Sequence, residues 1–457
     1  MHRKEASSVK ILFATPLNLS NLAETSFPHL GIGYLASSLK LQYPNVEFKA
    51  VQSQPQYKDA LTSWSPDIVC ISAVSQYWNQ AKQWALIAKQ AQKPVIVGGI
   101  HISSLPGTLT QDMDVAVLGE GEYAFTQLIS TYIESGKLQP EKVKSVIYHD
   151  NGSLIKSVEY PIFVNLDSLQ FPDRTFQGIC EHTSMFTSRG CPYRCSFCAS
   201  TRYFSGKPRF FSADYVAEEC HLLQLGYHVK RISFLDDLFI ADKKRLEAIY
   251  ELLGKRNLIG KLKFICNVRS NLVTDDLCRL LASMGVDTVG MGLESACPNT
   301  LAYLKGQGNI TVEDHVKALE LLAKYHITAH ASFIIGSPHE SREDILQTLH
   351  FIKDQQKRKQ LSDFEVYVLM PFPATPVWDY ATQRKLVSSD MNWDRLQYTI
   401  ADFGPESIVL SEYLSYEELA DLYQQFIRLR KIPRAKGMII QGLKHPSKAI
   451  RYLAQRI

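Results

Sequence analysis

The sequence predicts an α/β protein: a doubly wound parallel domain, then a partial (β/α)6 barrel, then a helical C-terminal region. Two observations predict the first two parts. Short apolar runs alternate with segments of helical spacing over the first third of the chain, and the alternation resumes after residue 180. Such alternation builds parallel sheets covered by helices. A third observation ends the barrel, because beyond Pro376 the spacing becomes mostly helical. With 457 residues, 45% hydrophobic and 21% charged, the chain is long enough for several domains. Its composition is that of neither a disordered nor a fibrous protein.

Taken in order, the runs at 11–14, 46–51, 67–72, 95–98 and 115–118 read as strands, with helices at 30–41, 79–90 and 121–133 between them. Gly98–Gly99 and Gly119–Glu120–Gly121 follow strands, where bare backbone lets a ligand approach closely. This first domain is expected to span 1–145. Residues 146–180, less regular and carrying Pro161 and Pro172, read as a connector with room for a small hairpin. Strands at 183–187, 231–235, 263–267, 288–292, 329–335 and 365–369 alternate with helices at 213–225, 242–253, 275–284, 312–325 and 342–354. They predict a barrel over 181–380 with ligands at the carboxyl ends of its strands. Residues 381–457 are the helical, basic remainder.

The net charge of +4 hides an asymmetry. Residues 425–457 hold nine Lys or Arg and no acidic residue, leaving 41 basic against 46 acidic groups elsewhere. A slightly acidic body with a basic tail argues against a dedicated nucleic-acid binder. The tail reads as a solvated helical face, with peripheral contact to a membrane surface or an acidic partner as the alternative. The sequence has no apolar run of about 18 residues or more and its start lacks the pattern of a secretion signal. Nine cysteines, an odd number, argue against a disulfide scaffold. A cytoplasmic protein with reduced thiols is expected. Cys70, Cys180, Cys220, Cys266, Cys278 and Cys297 fall singly in or near apolar segments and read as small buried hydrophobes.

The strongest motif is Ser188-Arg-Gly-Cys191-Pro-Tyr-Arg-Cys195-Ser-Phe197-Cys198. Three thiols on one loop after a strand suit zinc, with His182 as a fourth ligand, or an iron–sulfur cluster. The CxxxC-aromatic-C spacing resembles the hallmark of the radical S-adenosylmethionine (SAM) superfamily. That resemblance implies a 4Fe-4S cluster held by Cys191, Cys195 and Cys198, with the fourth iron open to chelate the amino and carboxylate groups of SAM. The cluster then cleaves SAM reductively to a 5′-deoxyadenosyl radical. By the same resemblance Phe197 is the aromatic position, Asp236 and Asp237 meet the SAM amino group, and Arg269 pairs with its carboxylate. Glu294 and Ser295, in Gly290-Met-Gly-Leu-Glu-Ser295, reach the ribose. Bland readings stay open: Asp237 as a helix cap, Arg269 in a surface ion pair. Gly336-Ser-Pro-His-Glu340 and Met370-Pro-Phe-Pro-Ala-Thr-Pro376 read as turns without chemistry.

Residues 26–31, 67–72, 97–101 and 119–122 resemble the Rossmann-like cobalamin-binding domain joined to many radical SAM enzymes. The resemblance covers residues 10–380. It implies cobalamin contacts at Ser72, Val74, Gly98, Gly99, Gly119, Glu120 and Gly121, with residues 75–79 under the corrin. The Asp-x-His-x-x-Gly mark of cobalamin mutases is absent from Thr15-Pro-Leu-Asn-Leu-Ser-Asn-Leu22. Cobalt would therefore have no imidazole from that loop. His29 and His101 read as packing residues, and an empty first domain stays open. The family points to methylation of an unactivated carbon of a small-molecule, lipid, pigment or peptide substrate. The alternatives are a cobalamin-dependent rearrangement or cyclisation without methyl transfer, and a non-catalytic metal-stapled module. A flavodoxin or ferredoxin is the expected electron donor.

Overall fold

The computed structural model describes residues 9–17, 29–159, 165–306, 310–398 and 403–430. The first sheet is built from β1 (Lys10–Ala14), β2 (Glu47–Val51), β3 (Ile68–Ser72), β4 (Val95–Gly98), β5 (Val115–Val117), β6 (Val146–Asp150) and β7 (Ser153–Lys156), in the order β2-β1-β3-β4-β5-β6-β7. The first five pair in parallel and the last two antiparallel. Around them run α1 (Leu30–Lys40), α2 (Gln54–Asp59), α3 (Trp78–Gln90), α4 (Ile100–Ser104) and α5 (Glu122–Ser135). Successive strand residues face opposite sides. Leu12, Val69, Ile71, Val95 and Val97 pack with Trp78, Ala81, Trp84 and Ile102. Ile11, Phe13, Ile68, Cys70 and Ile96 pack with Ile32, Leu39, Phe125 and Leu128 of α1 and α5. Both faces are covered, which is why these strands read as nearly continuous apolar runs. Strand order reverses between β1 and β3, and the crevice outside the carboxyl ends at such a point is where open α/β sheets take ligands.

The hairpin expected in the connector forms, but β6 pairs with β5 and extends the first sheet to residue 156. The sheet thus continues beyond residue 145. The antiparallel turn of the hairpin interrupts the alternating pattern without interrupting the sheet.

The second sheet holds β8 (His182–Met185), β11 (Arg231–Phe234), β12 (Lys263–Val268), β13 (Val286–Glu294), β14 (Thr328–Ile335) and β15 (Asp363–Val368), all parallel, each beside the next in chain order. Between β8 and β11 lies a two-stranded antiparallel ribbon, β9 (Ser188–Arg189) and β10 (Arg209–Phe210), flanking α6 (Ser200–Tyr203). The outer helices are α7 (Ala213–Tyr227), α8 (Lys243–Lys255), α9 (Asp275–Met284), α10 (Pro298–Lys305), α11 (Val312–Lys324) and α12 (Arg342–Lys357). Ser212, Asp242, Thr274, Thr311 and Ser341 cap α7, α8, α9, α11 and α12 through side-chain oxygens that accept backbone N–H groups. The cap of α8 is Asp242, so Asp237 is not a helix cap. Finally α13 (Pro376–Gln383) and α14 (Tyr416–Leu429) follow the barrel. Of the basic tail, residues 431–457 lie outside the described residues. Among the described residues no helix is long and apolar enough to cross a membrane.

Candidate active site

The cysteine loop is closed at its base by the β9–β10 ribbon and fastened at its middle. Ser196 donates its N–H to Leu304 O at 2.9 Å, and its carbonyl accepts from Val377 N at 3.1 Å. Gly306 has φ +62°, and a Cβ there would stand 1.9 Å from Arg194 O, so only glycine lets the end of α10 lie against the loop. Gly190, φ +88°, meets Phe204 and the Lys207 carbonyl in the same way. Burial pushes the Cys198 thiol up to about 12, with the neighbouring Asp237, Cys195 and Cys191 adding to it. Cys191 is raised by the same causes. Metal ligation needs the thiolate, so a cationic centre would offset this resistance to ionisation at Cys191 and Cys198.

The geometry removes His182 as a fourth ligand for zinc. His182 begins β8, whereas the loop follows the other end of that strand, and its Nε2 lies 3.0 Å from Ser233 Oγ. A four-iron cluster spans its thiolates more widely than one ion does, and three thiolates leave one of its irons open.

Arg269, directly after β12, is buried. Its Cζ lies 3.9 Å from the Tyr193 ring centroid and Nη1 lies 3.7 Å from Cys195 Sγ. Nε donates to Asn271 Oδ1 at 3.2 Å, while Nη2 is buried without a partner. Among the described residues no carboxylate is bonded to it, and its burial does not fit a surface ion pair. A buried guanidinium with a free donor beside the cysteine loop fits the carboxylate of SAM.

Three other expectations are corrected. Asp236 is fully buried, and its oxygens accept from Thr187 N (2.6 Å), Thr187 Oγ1 and Ser188 Oγ (2.7 Å). It ties the end of β11 to the start of the ribbon, at Thr187 and Ser188, and presents no oxygen to a ligand. The next residue, Asp237, is the exposed member of the pair. It accepts from Ser200 Oγ and is near enough to Cys191 and Cys198 to oppose their ionisation. Ser295 turns outward, its Oγ 3.1 Å from Thr348 Oγ1 on α12. Cys180 is exposed rather than buried, because it lies before β8 and outside its packing.

Glu294 stands on a bulge of β13 with φ +63°. Its Oε1 accepts from Lys305 Nζ at 2.8 Å, and that ammonium also donates to Gly292 O at 2.7 Å. Both side chains are buried. Sequence reading missed Lys305, although its place just before Gly306, at the end of the helix after Glu294, was a signal. Phe197 is half-buried and packs against the apolar cluster that includes Leu304, Val377 and Trp378.

At the first sheet's crevice, Ser72, Val74 and Gly98 are half-buried at the ends of β3 and β4. A Cβ on Gly98 would meet only Val117 O, at 3.8 Å, so a ligand's nucleotide arm has room there. Gly99, φ +100°, is required by the turn itself, since its Cβ would stand 2.8 Å from Ala73 O. The Gly119–Gly121 turn is used otherwise than expected. Gly119 O accepts from Tyr203 OH at 2.9 Å, and Gly121 is packed on Leu35. Glu120 is bonded by two arginines of the ribbon. His101 is held between Trp78 and Trp393, Nδ1 and Nε2 being 3.0 Å from Ser75 Oγ and 3.1 Å from Thr108 Oγ1. His29 caps α1 through Nδ1, which accepts from Ile32 N at 3.4 Å. Residues 75–79, expected under the corrin, pack against residues 392–395.

The radical SAM superfamily matches residues 185–352, and the B12 binding domain matches residues 21–129. An uncharacterized methyltransferase of Pyrococcus horikoshii is 29% identical over 412 residues, covering 86% of this chain and 87% of the relative. The anaerobic magnesium-protoporphyrin IX monomethyl ester cyclase of Rubrivivax gelatinosus is 26% identical over 392 residues, 80% of this chain and 69% of the relative. The structure of the cobalamin-dependent SAM radical enzyme OxsB, with aqua-cobalamin and SAM bound, aligns with 98% of this chain and 72% of its own at a TM-score of 0.69 and 16% identity, a likeness of fold. With the cysteine loop, the buried Arg269 and the crevice of the first sheet, these matches place the chain in the cobalamin-dependent branch of the radical SAM superfamily.

Proposed function

We propose that this cobalamin-dependent radical SAM enzyme methylates an unactivated carbon of a small-molecule, lipid, pigment or peptide substrate. The observation that carries the reading is Arg269, a buried guanidinium with an unpartnered Nη2 beside Cys195 Sγ. When bound, the cluster supplies the electron that opens SAM to a carbon radical and cobalamin carries the methyl group.

The chain's own residues do the rest. Cys191, Cys195 and Cys198 hold three irons. Arg269, through its free Nη2, would take the SAM carboxylate, and Asp237, in place of Asp236, would accept from the amino group. Glu294, pinned by Lys305, would accept from the ribose. Ser72, Val74, Gly98 and Gly99 border the cobalamin crevice. A flavodoxin or ferredoxin delivers the electron, and the basic tail makes a peripheral membrane contact if the substrate is a lipid or pigment.

The test is metal content after anaerobic reconstitution with iron, sulfide and hydroxocobalamin. About four irons and about one cobalt per chain are expected. Iron without cobalt sinks the methyl-transfer reading and leaves the first domain as a docking module. Cyclisation without methyl transfer is favoured by the likeness to the Rubrivivax cyclase. Product mass separates the two, since each methyl transfer adds one CH₂ unit.

A further inference from the structure

We infer that Glu120 and Glu122, on the first domain, are positioning residues for the cysteine loop of the second. This inference rests on the reading of that loop as the cluster site.

Arg189 and Arg209 stand directly opposite one another in the β9–β10 ribbon. The ribbon closes the base of the loop, and Arg189 is two residues from Cys191. Like charges directly opposite in an antiparallel pair are destabilising. The ribbon is therefore electrostatically incomplete by itself. Its complement comes from the turn after β5. Arg189 Nη1 donates to Glu120 Oε1 at 2.8 Å, and Nη2 to Glu122 Oε1 at 2.6 Å. Arg209 reaches both oxygens of Glu120, at 2.8 and 2.9 Å.

All four side chains are about nine-tenths buried. Their bonds are thus little screened by solvent, and loss of one partner leaves an uncompensated buried charge. Tyr203 OH, on the far side of the cysteines, donates to Gly119 O at 2.9 Å. Arg189 also lies 5.1 Å over the ring of Tyr34 in α1. The loop is consequently held on both flanks by a turn of the other domain. That turn follows β5, which pairs with β4, the strand ending at Gly98. One set of contacts thereby fixes where the thiols stand relative to the crevice at β3 and β4.

The test uses the full chain and the variants Glu122→Gln, Glu120→Gln and Glu122→Asp. Hydrogen exchange on the metal-free chains is the first readout. Exchange over residues 190–208 is expected to rise at least about fivefold in the glutamine variants, with β1–β4 unchanged, and to stay near wild type in Glu122→Asp. After reconstitution, the spectroscopic response of the reduced cluster to added SAM is expected to change while cobalt per chain does not. Faster exchange confined to residues 115–125 overturns the inference. So does loss of cobalt with the cluster signal intact, which would return Glu120 to the cobalamin contacts. If a glutamine variant fails to fold, Arg209→Lys keeps the charge but not the fork, and a smaller rise over 190–208 is expected; none overturns the inference. Failure of the wild type to take up iron would sink the cluster reading, and the exchange experiment would still report whether the domains are coupled.

Discussion

Arg269 is held by an aromatic face, an amide oxygen and a thiol and, among the described residues, by no carboxylate. A guanidinium left in that state in a buried site costs stability unless something completes it. Lysine keeps the charge and loses the planar fork. Arg269→Lys is accordingly expected to weaken SAM binding about 10- to 100-fold, with iron per chain unchanged. Anaerobic equilibrium dialysis with SAM measures it, and unaltered affinity would make Arg269 only a packing partner of Tyr193. At this scale the sequence was legible in residue type and less so in direction. Phe234 and Asp236 are buried while Leu235 and Asp237 are exposed. Strand alternation therefore decides which aspartate faces out, but a motif does not show where the strand ends. Ser295 failed for the same reason. The bulge at Gly292/Glu294 rotates the chain, and no spacing rule reveals a bulge.

Among the elements, the turn Gly336-Ser-Pro-His-Glu340 after β14 carries a device that its composition hid. Glu340 Oε2 accepts from Gly336 N at 2.7 Å and Ser337 N at 3.1 Å, while Oε1 is buried without a partner. Burial outweighs those bonds and pushes the carboxyl up to about 8. Below the usual carboxylate range both folded and unfolded chains carry the proton. As pH rises through that range the unfolded chain releases it, and the folded chain keeps it until about pH 8. The unfolded state then binds fewer protons, so stability falls over that window and levels off above it. Glu340→Gln is expected to flatten the slope, worth on the order of a few kcal/mol at most. Urea midpoints at pH 5 and pH 8 check it, and an equal fall in both proteins would clear Glu340. Periodicity exposed the long elements because their faces repeat. It missed β9 and β10, whose two residues each hold no pattern, and the ribbon they form is bonded to residues far away in sequence.

Over the whole molecule, the region after the barrel does not simply trail from it. Val387, Trp393, Leu396, Ile408 and Leu410 pack into the cluster that covers one face of the first sheet. Trp393 meets the His101 ring edge-on at 4.5 Å and stacks on Trp378 of α13 at 5.9 Å. His101 in turn stacks on Trp78 at 4.2 Å, and Asn79 Nδ2 donates to Asn392 Oδ1 at 2.6 Å. Burial lowers the His101 ring to about 3, so it remains a neutral member of this stack at working pH. Local sequence gave no sign of the contact, since its partners are some three hundred residues apart. The physical consequence is that the C-terminal segment supports the first domain as much as the barrel. Trp393→Ala removes the ring that joins them and is expected to cost about 3–5 kcal/mol. The loss should fall unevenly, with hydrogen exchange rising over residues 72–90 and 98–105 and cobalt per chain dropping, while iron per chain holds. A uniform rise in exchange across both sheets would mean instead that Trp393 stabilises one common core, and the segment would have no particular hold on the cobalamin crevice.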